Sequence, residues 1–478
     1  MPSSKPHPKQ AKSGLGYWMA QVLKEAEIAA QEFAADPVHD LRVALRRCRS
    51  MTDGFRAIDP DKNWKKMRRQ ATALFDSLGE LRDCQVMMEW LEKLARDDDT
   101  SRHTLMAHAQ ARETVLKQHA ERALAEFDRG KWQNWARLLP ARAARLTPGS
   151  EPFQALALEK WTAARRLESR ALKTEGPMAL HRLRIAVKKF RYVVENFLPE
   201  QHEQWSRGLK EVQDLLGEIH DLDVLRQTSA SLGAASAAWE QTLGREREKR
   251  LARYRALMCG AQSLWLAWRA GLPRGQQMKQ AALRKLEAWS GFMDSDLRHS
   301  RRVTRFALQI FDGLERAGLL QGTNRNSREL LRAAATAHEV GRAGGNRGHH
   351  KTTERMIEGM DALVGWTRND LEMMALVARF HRGALPHPAK LRALPREKQA
   401  TTRLLAGILR LANALDADHK GTVRQMRLTR SGDYVLIQAQ GLRADSALAE
   451  QVAGARHLLE TACGMPVMVR GTVRGRNR

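Results

Sequence analysis

One eleven-residue pattern occurs twice in this chain: residues 39–49 read HDLRVALRRCR and residues 181–191 read HRLRIAVKKFR. His39, Arg42, Arg46, Arg47 and Arg49 fall without gaps on His181, Arg184, Lys188, Lys189 and Arg191. A second element follows each copy, LGELRDCQV at 78–86 and LGEIHDLDV at 216–224, setting Gly79 on Gly217 and Asp83 on Asp221. Two matched elements in the same order define a repeat unit well beyond a single helix. Whatever the chain folds into must contain that helical unit twice.

Helix geometry says what the first element is for. At about 3.6 residues per turn, His39, Arg42, Arg46 and Arg49 share roughly an 80° arc, while Leu41, Ala44, Leu45 and Cys48 point the other way. His181, Arg184, Lys188 and Arg191 repeat that arc against Leu183, Ala186, Val187 and Phe190. Each helix therefore has one face for a core and a cationic face for something else. Arg47 and Lys189 lie at the edge of the stripe. A charged helix face is ordinarily just solvated, with acids a turn away to offset it. No acid falls on either stripe, so an anion is expected to neutralise both. Guanidinium forks and ammonium groups suit phosphate oxygens, and cations one turn apart suit a linear polyanion. Lys210, seven residues before Gly217, extends the cationic surface. Gly79 and Gly217 are expected to let helices approach closely, and Asp83 and Asp221 to hold a basic side chain in register.

Composition agrees but does not choose the ligand. The net charge of +27 over 478 residues predicts an anionic partner. Residues 273–478 hold 35 Lys and Arg against 19 Asp and Glu, the larger share of the excess, so net charge does not locate the site. Cys48, Cys84, Cys259 and Cys463 have no spacing suited to zinc or to a disulfide framework. The polar start, Met1 to Gly16, lacks an apolar signal core, and no apolar run is long enough to span a bilayer. A cytoplasmic, granule-associated location is the expectation. Aromatics make up 6% of the chain, and no aromatic ladder runs beside the stripes to stack bases, which argues against nucleic acid.

The duplicated H-x-L-R-x-A-x-(R/K)-(R/K)-x-R helix, followed each time by LGE-x-x-D, resembles the CHAD domain, the conserved-histidine α-helical domain. The resemblance covers about residues 10–270. It implies two four-helix bundles related by pseudo-two-fold symmetry, with their basic helices facing one another. It also implies binding of inorganic polyphosphate, association with polyphosphate or polyhydroxyalkanoate granules, and a site at His39, Arg42, Arg46, Arg49, His181, Arg184, Lys188 and Arg191.

Beyond a linker at Gly271–Gly275 the chain changes character. The expected fold is mainly α: a duplicated four-helix-bundle CHAD domain at 14–271, in repeats of about 14–150 and 151–271, then an HD-like helical domain at 276–420. A small α/β subdomain at 421–472 follows, and residues 1–13 are expected to be a disordered basic N-terminus. Strands are expected at Val423–Leu428, Tyr434–Gln438 and Pro466–Val469, with a helix near Ala447–Cys463.

His299, His338-Glu339 and His381 are spaced as metal-dependent HD-type phosphohydrolases space their ligands, but Asn413 stands where a late Asp would be. A neutral Asn compensates a metal's charge poorly, so no metal and no cofactor are expected. His349 and His350, beside Gly348, read as exposed. HEVG, GHHK, FHRG and ILRLANAL over about 276–472 resemble the C-terminal region of exopolyphosphatase/guanosine pentaphosphate phosphatases. In that family catalysis belongs to actin-like domains with glycine-rich phosphate loops, which implies polyphosphate handling without hydrolysis here. The alternative is an HD-type phosphohydrolase acting on polyphosphate or a phosphorylated nucleotide.

Overall fold

The computed structural model describes residues 14–31, 33–94, 99–320, 323 and 325–472. Residues 1–13, expected to be a disordered N-terminus, lie outside them. Two compact units divide the chain, residues 1–277 and 278–478.

The first unit is a chain of antiparallel helices. Its first half comprises α1 (Leu15–Gln31), α2 (Ala35–Arg56), α3 (Lys62–Leu94), α4 (Thr100–Ala125) and α5 (Arg129–Ala143). Its second half comprises α6 (Glu151–Thr174), α7 (Pro177–Phe197), α8 (Pro199–Ser231), α9 (Ala237–Met258) and α10 (Leu264–Ala270). Helix starts follow the local chemistry. Pro177 and Pro199 occupy first-turn positions where a missing N–H costs nothing, and the Asp99 and Ser236 side chains accept from Ser101 N and Trp239 N. Successive helices pack as neighbours, and the halves meet along α2–α7 and α3–α8.

Predicted core positions are buried in both copies. Leu41, Leu45, Cys48, Leu183, Val187 and Phe190 are wholly inaccessible. Burial pushes the Cys48 thiol well above its ordinary pKa, so it is an inert core group. Along the α2–α7 seam Phe55 meets Phe197 edge-on at 5.1 Å, and Phe197 stacks on Phe153 at 4.2 Å. Gly54 makes this possible, because a Cβ there would overlap the Phe197 ring.

Asp59, in the turn between α2 and α3, is 1% exposed and anchors that turn. It accepts from Trp64 Nε1 at 2.7 Å and from Arg142 Nε and Nη2 at 2.7 and 2.6 Å.

The second unit begins within α11 (Gly275–Met293) and continues through α12 (Leu297–Arg316) and α13 (Arg325–Ala337). After a 3-10 turn at Val340–Gly344 come α14 (His349–Glu358), α15 (Arg368–Arg379), α16 (Pro388–Leu391) and α17 (Arg396–Ala414). The tail is β1 (Gln425–Ser431), β2 (Tyr434–Gln440), α18 (Ala447–Ala455), α19 (His457–Cys463) and β3 (Val467–Thr472). β2 pairs antiparallel with β1 and parallel with β3, so α18 and α19 form the crossover. The single helix expected at Ala447–Cys463 is thus two. Strand β1 runs on to Ser431 because a tight turn at Gly432 (φ 59°) closes the hairpin directly onto Tyr434.

Candidate functional site

The two basic stripes converge. Arg42, Arg46 and Arg49 on α2 and Arg184 on α7 all act on Lys188. Desolvation first, and then these four cations, push the Lys188 ammonium down to about 8. Arg42 and Arg49 are also held below their ordinary range, chiefly by desolvation. Both lie over the Phe75 ring, at 4.9 and 4.2 Å from its centroid, which orients the guanidiniums without neutralising them.

The glycines of the second element serve these arginines. A Cβ on Gly79 would sit 3.3 Å from Arg42 Nη1, and one on Gly217 would sit 4.0 Å from Arg184 Nε. Close packing of helices was the expectation; what the glycines accommodate is the stripe itself.

Acids absent from the stripes arrive from elsewhere in the fold. Asp83 on α3 feels Arg42 and also Arg184 and Lys188 of the other repeat; desolvation nonetheless raises its carboxyl. Asp221 on α8 is pushed up to about 6 by desolvation and by Asp83 and Glu218, against the pull of Arg184 and a Trp90 hydrogen bond. Arg49 reaches Asp76 at 3.3 Å, while Arg47 pairs with Glu195, which Arg191 also approaches at 3.8 Å. The expectation of unneutralised stripes therefore holds for the helix faces but not for the folded site. Glu195, one turn past Arg191, is the acid that a closer look at the sequence could have found.

The remaining predicted residues are spread around this cluster. His39 and Arg42 line a pocket of about 470 Å³ with Arg82 and Lys117. His181 lies 4.6 Å from the His220 ring, and its Nδ1 is buried without a hydrogen-bond partner among the described residues. Desolvation, Arg184 and His181 hold His220 down to about 4, so it is neutral at ordinary pH. Arg46, Arg47 and Arg191 line a cleft of about 60 Å³. Lys189 is exposed, and Lys210 is an exposed cation paired with Asp214 at 2.5 Å.

In the second unit His299, His338, Glu339 and His381 are all buried within one region. His299 is committed, its Nδ1 2.8 Å from Asp416 and its Nε2 3.1 Å from Asn413. Asn413 therefore serves His299 rather than standing as an independent ligand. His349, expected to be exposed, is 1% exposed and lies beside His381 and Glu339. Gly341 brings it there, since any Cβ would strike the His349 carbonyl and Thr353. Glu339 and His381 also line a pocket of about 410 Å³ with Arg342, Arg382 and Arg410.

Comparison with known proteins bears on both units. The family model of the CHAD domain matches residues 17–230, and that of Ppx/GppA phosphatase, domain III, matches residues 284–451. The chain carries a CHAD domain followed by a Ppx/GppA domain III. The crystal structure of the CHAD domain from the plant Ricinus communis matches at 22% identity with a TM-score of 0.38, covering 54% of this chain and 89% of that one. No curated protein matches. The CHAD match spans both stripes and both LGE elements, and the domain III match spans the buried histidines. No helix among the described residues is long and apolar enough to cross a membrane.

Proposed function

We propose that the CHAD domain binds inorganic polyphosphate along the converged stripes and does not hydrolyse it, tethering the chain to polyphosphate-containing granules. The observation that carries this reading is the convergence of Arg42, Arg46, Arg49 and Arg184 on Lys188, whose ammonium is lowered to about 8 by desolvation first and then by these four cations. Such a cluster is costly without a counter-charge, and a chain of phosphates supplies one at each turn of the helix. The Ppx/GppA domain III supports polyphosphate as the ligand class. The test is a titration with long-chain polyphosphate, with duplex and single-stranded DNA as competitors at matched phosphate concentration. Polyphosphate is expected to bind with the higher affinity, weakening about a hundredfold between 50 and 200 mM salt if some five cations are neutralised. Equal competition by DNA would sink the assignment.

Binding is also expected to tighten as pH falls. Below about pH 8 Lys188 already carries its proton, whereas above that value binding must take one up, and affinity drops. Below about pH 6 Asp221 is protonated and its charge no longer opposes the anion. Both groups therefore act in the same direction. Isothermal titration should show affinity about tenfold higher at pH 5.5 than at pH 8.5. A flat profile would place the anion away from Lys188 and Asp221.

A second reading, a metal-dependent phosphohydrolase acting on polyphosphate or a phosphorylated nucleotide, draws on the buried histidines around Glu339. Phosphate release that requires added Mn²⁺ or Mg²⁺ and disappears in His338→Ala would favour it.

A further inference from the structure

Glu339, His349 and His381 place three donor atoms at the corners of a nearly equilateral triangle. Glu339 Oε1 lies 3.4 Å from His349 Nε2 and 3.5 Å from His381 Nε2, and the two nitrogens are 3.3 Å apart. Around a tetrahedral ion with bonds of about 2.0–2.1 Å, neighbouring ligand atoms stand about 3.3–3.4 Å apart. The triangle thus has the size of one face of such a site.

The donors are held in place from behind. His349 Nδ1 donates to the Asn346 carbonyl at 3.0 Å and His381 Nδ1 to the Ala378 carbonyl at 2.6 Å. With a proton on Nδ1, each neutral ring turns an Nε2 lone pair towards the carboxylate, so three acceptors face one another. Arg342 pairs with the other oxygen of Glu339. This is the outer-shell arrangement that orients metal ligands. His338 adds a fourth donor. It is fully buried, its Nδ1 donates to the Ala335 carbonyl at 2.7 Å, and its Nε2 lies 3.7 Å from Glu339 Oε1 with no hydrogen-bond partner among the described residues. His299 is less suited, because both its nitrogens are engaged by Asp416 and Asn413.

We propose that Glu339, His349 and His381 hold one divalent transition-metal ion, with His338 beside them, and that an oxyanion entering past Arg342, Arg382 and Arg410 is its exchangeable ligand. Imidazole-rich donors favour Zn²⁺ over Mn²⁺ and exclude Mg²⁺ or Ca²⁺ as the preferred occupant. The competing account is that protons alone fill the triangle, as an imidazolium–carboxylate cluster. The site lies wholly in the second unit, so its fate is independent of the polyphosphate reading.

The test uses the full chain, stripped with EDTA and titrated calorimetrically with ZnCl₂ and MnCl₂. One equivalent of Zn²⁺ is expected to bind, more tightly than Mn²⁺, and to raise the melting temperature of the second unit. His349→Gln and His381→Gln should each weaken Zn²⁺ by about a hundredfold while leaving the circular dichroism spectrum unchanged. X-ray absorption of the wild-type zinc complex should show imidazole scattering from at least two histidines, and this readout decides the matter if the variants do not fold. Failure to bind Zn²⁺, affinity untouched by both substitutions, or a zinc shell lacking imidazole would each overturn the proposal.

Discussion

Replacing Arg42 and Arg184 together by alanine is expected to weaken polyphosphate binding by about a hundredfold to ten-thousandfold. Each guanidinium contributes a charge-assisted hydrogen bond of about 1.5–3 kcal/mol when a phosphate replaces water, and the two act from opposite repeats on one cluster. Fold should survive, since both side chains are half-buried at the cluster and the core faces of their helices are made by other residues. Lys189→Ala is the control: the residue is exposed at the edge of the stripe, and its loss should change affinity by no more than about twofold. Binding measured by titration, alongside circular dichroism, separates the outcomes. Undiminished affinity in the double variant would move the anion to the second unit, where the larger positive excess lies.

The largest expected effect on stability comes from Asp59→Ala. The substitution strips Arg142 of both its short contacts to a buried carboxylate and leaves the Trp64 indole N–H without its acceptor. Arg142 is partly exposed and keeps its contact to Asp61, so the cost is that of the lost charge-assisted hydrogen bonds and of the stranded indole N–H, about 2–4 kcal/mol. In a unit of this size that corresponds to a fall in melting temperature of about 3–7 °C. Differential scanning calorimetry should show the shift in the transition of residues 1–277 alone. Asp61→Ala, which removes the 3.4 Å contact to Arg142 and the hydrogen bond from Asn63 N at 2.7 Å, should cost about 1–2 kcal/mol.

Residue patterns disclosed the helices, their duplication and the cationic faces, because those are properties of one helix and its period. They could not disclose what lies opposite each face. Asp83 approaches Arg184 and Lys188 only because α3 of one repeat packs on α8 of the other, and nothing local in either segment encodes that meeting. The second unit shows the same limit. Next to Gly348, His349 has the local signature of a surface loop, yet the Gly341 turn draws α14 inward and buries it. Asn413 invited comparison with a lost metal ligand, whereas its carbonyl oxygen is engaged by His299. Asp59 stands before Pro60 in a turn between two helices, and nothing local encodes its partner Arg142, which comes from α5.

The Phe55–Phe197 contact has a consequence for how such a molecule can change. In the register that sets His39 on His181, Phe55 falls on Phe197, so the seam joins a residue to its own counterpart. That is the signature of an isologous two-fold interface, here closed within a single polypeptide. In a homodimer every substitution at such an axis is imposed on both sides at once. Covalent fusion removes that obligation: Gly54 yields space to Phe197, while the residue in its place on the other side, Asn196, reaches across to the Ser50 hydroxyl at 3.0 Å. Each repeat is thus free to specialise against the other without losing the axis that brings their arginines together.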